Sequence, residues 1–229
     1  MLSKIKSLVV LFVGISLMSI GIALAKLAQL GTSPISSIPN VMSYITPLSI
    51  GNLTMIFMVL MIFLQMVILR EVNLPIILQI VILREVNLPI ILQIVPGLAF
   101  GGLIDVFVDV FTNLGLPALM GHYLEQLAFT LLGMVVLSLG VFFEVNSRSI
   151  LMPGEGLVVA LTLRTKKPFG KLKMYTDLTM VAVALVISLL YFQGLVGIRE
   201  GTIIAALFTG RLVTLYSPLI PWVDRFTTK

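Results

Sequence analysis

Six stretches of this chain, 7–25, 50–69, 89–112, 126–143, 174–192 and 202–221, are apolar over roughly the ~20 residues a helix needs to cross a bilayer. A helix satisfies its own backbone polar groups, which hydrocarbon cannot do, so long apolar runs predict membrane-spanning helices. Composition agrees: 59% of residues are hydrophobic, 11% are charged and the mean hydropathy is +1.14, against roughly 25% charged in soluble domains. The expected fold class is an all-α polytopic membrane protein with six transmembrane helices. The first run is too long for a signal-peptide core and no A-x-A site follows it, so it is expected to be a retained helix.

Offset against itself by 119 residues, the chain aligns its punctuation without gaps. Gly14 falls on Gly133, Gly21 on Gly140, Pro34 on Pro153 and Gly51 on Gly170. Each window reads as an apolar helix with two glycines seven apart, then a proline-broken polar stretch, a glycine and a second apolar helix. Residues 1–114 and 115–229 therefore form two halves of one membrane domain. Three spans per half is an odd number, so the second half runs opposite to the first, giving an inverted-topology repeat. The structural breaks are Pro34 in the stretch 31–47 and Pro153, Gly154 and Gly156 in the stretch 150–168. Two readings of these stretches stay open: irregular backbone lining a cavity at the repeat interface, or surface amphipathic helices.

The net charge of +5 points to membrane topology, not to nucleic acid. With the N-terminus inside, twelve of the fifteen Lys and Arg residues fall on the cytoplasmic side, Lys26 and Arg199 fall outside and Arg211 lies within a span. This asymmetry predicts that both termini are cytoplasmic. Residues 67–80 read VILREVNLPIILQI and residues 81–94 repeat them without a change. As helix the extra copy adds about 21 Å but too short an apolar piece to cross a bilayer, so topology is expected to survive it.

The motifs GIALAKLAQLGTSPISSIP (21–39), PLSIGNLTMIF (47–57), ILQIVPGLAFGGLID (91–105), MPGEGLVVAL (152–161), FGKLKMYTDL (169–178) and REGTIIAALFTG (199–210) follow one another in an order that resembles the bacterial YczE/YyaS/YitT family of integral membrane proteins. The resemblance implies a multi-pass protein of the bacterial plasma membrane that is not an enzyme, and it names no substrate.

Gly97, Gly101, Asp105 and Asp109 recur every four residues and share one helix face. Carboxylates in a span are costly unless they face the bundle interior or water. Asp105 and Asp109 are thus candidates for a cation or proton site; the plainer reading is a structural pair for Asp105 and an interfacial position for Asp109. Arg211, central in the last span, needs an acceptor or a water cavity, and Asp105 is the expected partner, because Phe100-Gly101-Gly102 loosely parallels Phe208-Thr209-Gly210; snorkelling is the alternative. Glu155, between Gly154 and Gly156, is a candidate for cation coordination or gating, or else a solvated loop carboxylate. Asp177 is read as the partner of Lys173 four residues before it. Thr32 and Ser33 are read as caps for the helix after Pro34, Asn52, Gln65 and Gln93 as interhelical hydrogen-bonding residues, and His122 as a solvated interfacial histidine.

There is no cysteine. No nucleophile–base set, phosphate cradle or histidine metal set is present in the sequence, so no cofactor and no enzymatic chemistry are expected. The expected partners are the lipid bilayer and an unknown small solute. The functional expectation is a small secondary transporter or permease, cation- or proton-coupled. The alternatives are an accessory membrane protein supporting a biosynthetic or secretion partner, and a passive channel.

Overall fold

A computed structural model describes residues 2–69, 93–147, 149–221 and 223. The tandem copies, with Arg70, Glu71, Arg84 and Glu85, fall almost wholly outside these residues, as do Arg148, Arg225 and Lys229. Among the described residues there are eight α-helices: α1 (Leu2–Leu27), α2 (Pro34–Ile45), α3 (Ile50–Leu69), α4 (Ile94–Asn113), α5 (Tyr123–Asn146), α6 (Pro153–Thr165), α7 (Phe169–Phe192) and α8 (Glu200–Leu219), with one 3-10 turn at Leu116–Leu119. Five stretches of helix are long and apolar enough to cross a membrane: Ile5–Leu27 of α1, and α4, α5, α7 and α8 in full; α3 carries a shorter apolar stretch, Ile50–Gln65. The protein is therefore a multi-pass membrane protein, all-helical among the described residues. Pro96 sits in the first turn of α4, where a missing N–H costs no intrahelical bond, so that helix starts at Ile94, later than the apolar run. The helices α5 and α7 are longer than their runs, and the extra turns carry polar residues into the bundle.

The closest packing is between α1 and α5, and glycine makes it possible. A Cβ at Gly14 would lie 2.9 Å from the Gly140 carbonyl oxygen, and one at Gly21 would lie 2.5 Å from that of Gly133. Gly14 meets Gly140 and Gly21 meets Gly133, so the two helices run antiparallel with their backbones in contact. Without a hydrophobic driving force between helices in lipid, such close approach is a main source of association.

Most of the remaining contacts come in matched pairs. Helix α4 packs on α1 and α3, and α8 packs on α5 and α7; α2 packs on α7 and α3, and α6 on α3 and α7. Gly51 of α3 meets Gly101 of α4 backbone to backbone, as Gly170 of α7 meets Gly210 of α8.

The short helices α2 and α6 both begin with proline at the first helical position and bury their first turns, from Pro34 to Ser37 and from Pro153 to Val158. Both stretches are therefore mostly helical rather than irregular, and their first turns lie inside the bundle rather than on its surface. Their tips touch: a Cβ on Gly154 would come within 2.2 Å of the Ile35 side chain. Gly156 leaves room for Gln65 and Gln93, whose amides lie 2.9 Å from where its Cβ would be. Ser33 occupies the N-cap position of α2 but makes no side-chain cap; its hydroxyl pairs with that of Ser36 at 2.8 Å.

Candidate functional site

Asp105 is half-buried on α4 and turns to the start of α3. Its Oδ2 accepts from the Ser49 hydroxyl at 2.6 Å and its Oδ1 from the Gly51 N–H at 2.9 Å. A carboxylate there satisfies an otherwise unpaired helix amide and complements the positive end of the helix dipole. Asp109, one turn further, is exposed. Arg211 is exposed on α8, its guanidinium 5.6 Å from the Phe208 ring centre.

The expected Arg211–Asp105 pair is not formed. The physical reason is register and placement. Helix α4 packs mainly on α1 and α3 and α8 mainly on α5 and α7, and Gly101 and Gly210 make the same kind of contact, with Gly51 and Gly170. The parallel drawn through Gly102 was one residue out. Arg211 lies about 100° around the helix from Gly210 and so faces outward, while Thr214, one turn after Gly210, lies against Gly170 as Asp105 lies against Gly51. Replacing Asp105 by alanine is expected to cost about 1–2 kcal/mol through the lost cap, with Asp105→Asn retaining most of the stability; thermal unfolding in detergent checks this.

A different set of charges is buried. Glu155, in the first turn of α6, is fully buried, as are Glu144 near the end of α5 and Asp177 on α7, and Lys173 is 3% exposed. The Lys173 Nζ lies 2.8 Å from Asp177 Oδ1 and 3.3 Å from Glu155 Oε1. Glu144 Oε1 accepts the Met152 N–H, tying the end of α5 to the residue before α6, and its charge interacts with those of Glu155 and Lys173. Among the described residues, Glu144 Oε2 and Asp177 Oδ2 have no hydrogen-bond donor, and Glu155 has none closer than the Lys173 ammonium at 3.3 Å. Among the described residues, Glu155 and Asp177 thus share the Lys173 ammonium, with Glu144 buried at the Met152 end of the same site. Next to it, Gln65 Nε2 donates to Gln93 Oε1 at 3.0 Å and to the Pro153 carbonyl at 2.7 Å, joining α3 and α4 to the tip of α6.

Of the sequence candidates, Glu155 belongs to this cluster and is no solvated loop residue. The i,i+4 pairing of Lys173 with Asp177 is present, but it is buried and three-way. Gln65 and Gln93 bridge helices as expected, whereas Asn52 is exposed. His122 is exposed at the start of α5, where its N–H donates to Glu125. Glu144 escaped sequence reasoning. The signal was there, for it continues the stripe Gly133, Leu137, Gly140 at helical spacing. Among the described residues no three His, Cys, Asp or Glu groups are arranged to hold a metal ion.

The chain matches a family of unknown function (DUF6198) over residues 5–218. No curated protein and no solved structure matches it.

Proposed function

We propose that this chain, which belongs to that family of unknown function, is a small proton-coupled secondary transporter whose coupling site is the buried Glu144–Glu155–Lys173–Asp177 cluster. The observation that carries the reading is the imbalance, among the described residues, of three buried carboxylates against one buried lysine, with carboxylate oxygens left without donors. A purely structural ion pair in a membrane interior closes its hydrogen bonds and its charge. Among the described residues this cluster is short of positive charge, and in this reading a proton supplies it. Ionisable residues within spans mark ion and proton paths.

The architecture supports the same reading. Matched contacts, antiparallel α1 and α5 and the touching tips of α2 and α6 fit an inverted repeat of three spans and one half-helix each, with the half-helices meeting at the interface where such transporters bind their ligands. The arrangement with both termini cytoplasmic in a bacterial plasma membrane, and the kinship with YczE/YyaS/YitT proteins, belong to this proposal. Asp105, Asp109 and Arg211 carry no coupling role in it, and no enzymatic step is included.

Reconstitution into liposomes with an internal pH dye tests the proposal. Adding members of a panel of small carboxylates, amines and sugars should acidify or alkalinise the lumen with at least one of them. Asp177→Asn or Glu144→Gln should lower that coupled flux at least about tenfold while the protein stays folded, and Asp105→Asn should leave it intact. Saturable flux unchanged in both cluster variants would remove the cluster from the mechanism. Unsaturable flux would point to a channel, and no flux with any solute to an accessory protein.

A further inference from the structure

We infer that a second polar site, at the end of the bundle where α1 finishes, binds a small organic carboxylate. A pocket of about 360 Å³ opens there between the end of α1, α2 and the loop before α8, at the small end of the range for ligand sites. Its lining includes two cations, Lys26 and Arg199, and no acidic residue. Lys26 is the informative member. It is largely buried, and its Nζ donates to Asn40 Oδ1 at 3.0 Å and lies 5.4 Å from the Tyr44 ring centre. Among the described residues no carboxylate lies within ion-pair distance of it. Asp105 turns its two oxygens to Ser49 and Gly51.

An ammonium held in a pocket by neutral groups retains donors for an anion. Asn40 fixes the geometry: while it accepts from Lys26, its Nδ2 donates to the Gly197 carbonyl at 2.8 Å, so the α8 loop and Lys26 are held by one side chain. Arg199 stands at the rim, 46% exposed and bonded to Glu200, as the outer cation that an anion would meet first. Tyr44, Leu195 and Val196 supply an apolar wall. That combination suits a single carboxylate on a short apolar body rather than a sugar, a cation or a bare phosphate. It gives the transport reading a substrate class and rests on that reading for its role, while binding itself is measured without flux.

The test uses the full chain in neutral detergent, with phenylacetate and butyrate as probes, phenethyl alcohol and butanol as their neutral counterparts, and inorganic phosphate. The carboxylates should raise Tm by at least about 2 °C at millimolar concentration, as expected for a ligand bound only by the folded state, and the alcohols should not. Equilibrium dialysis with labelled phenylacetate should show binding about tenfold weaker in Lys26→Gln, near normal in Lys26→Arg and about threefold weaker in Arg199→Gln. Arg199→Gln changes an exposed side chain, so the test stands even where Lys26→Gln does not fold. Equal shifts with the alcohols, binding unaffected by Arg199→Gln and Lys26→Gln, or a response only to phosphatidylglycerol in nanodiscs would overturn the inference. Binding without flux would leave this site standing and sink the transport reading; proton-coupled flux of a cation or sugar alone would do the reverse.

Discussion

Replacing Lys173 by methionine is expected to be among the most damaging single changes in this protein, costing about 3–5 kcal/mol. The chain shape barely changes, but Glu155 and Asp177 lose the one cation that, among the described residues, lies within reach of either. Three buried carboxylates would remain, and burial of an uncompensated charge is far costlier than loss of an exposed pair. The carboxylate side of the cluster should behave differently. Asp177→Asn leaves Lys173 still paired with Glu155 and relieves crowding of like charge, so its expected cost is about 1 kcal/mol or less. Lys173→Met combined with Asp177→Leu should recover part of the stability, since the pair is removed together. Monodispersity in size-exclusion chromatography and thermal unfolding in detergent read all three variants. Equal losses for Lys173→Met and Asp177→Asn would show that the cluster is not held by its single cation.

Much of the scaffold was legible because membrane helices leave coarse marks. Apolar runs marked the spans, and prolines with small polar neighbours marked α2 and α6. The glycines seven apart in α1 and α5 were read as marks of a repeat, and in the structure the same residues form the contact between those two helices. The site was only half legible. Insertion cost says that a charge in a span must find a partner but does not say which one, so Asp105 and Arg211 were joined although one caps α3 and the other faces outward. Lys173 and Asp177 were read at the membrane edge because the apolar run begins after Lys173, whereas the helix begins at Phe169. Their true face was written in the spacing of Lys173, Asp177, Val181, Ala184 and Ser188, all buried, a helical stripe that charge had disguised. Glu144 closes an apolar run and was passed over as its boundary.

The second large effect is expected at Gly21. A leucine there should prevent α1 and α5 from packing and reduce folded yield severely, because its Cβ would fall 2.5 Å from the Gly133 carbonyl oxygen and 2.7 Å from the Leu137 nitrogen. Both are backbone atoms of a helix, which cannot step aside as a side-chain end can. The helices must therefore separate, and separation forfeits contacts along the whole seam. Gly133→Leu should be as harmful, since its Cβ would meet the Gly21 carbonyl oxygen at 2.7 Å in the same contact viewed from the other side. Gly102→Ala is the internal control: its Cβ would meet only the end of Met55 at 3.7 Å, and alanine favours helix over glycine by about 1 kcal/mol, so this variant should be neutral or more stable. Similar yields for Gly21→Leu and Gly102→Ala would refute backbone contact as the basis of the seam. Gly14 extends the argument to the site, because a Cβ there would press on the Glu144 nitrogen at 2.9 Å. Gly14→Ala is accordingly expected to shift Glu144 away from its bond to Met152, and to impair coupled flux more than it lowers Tm.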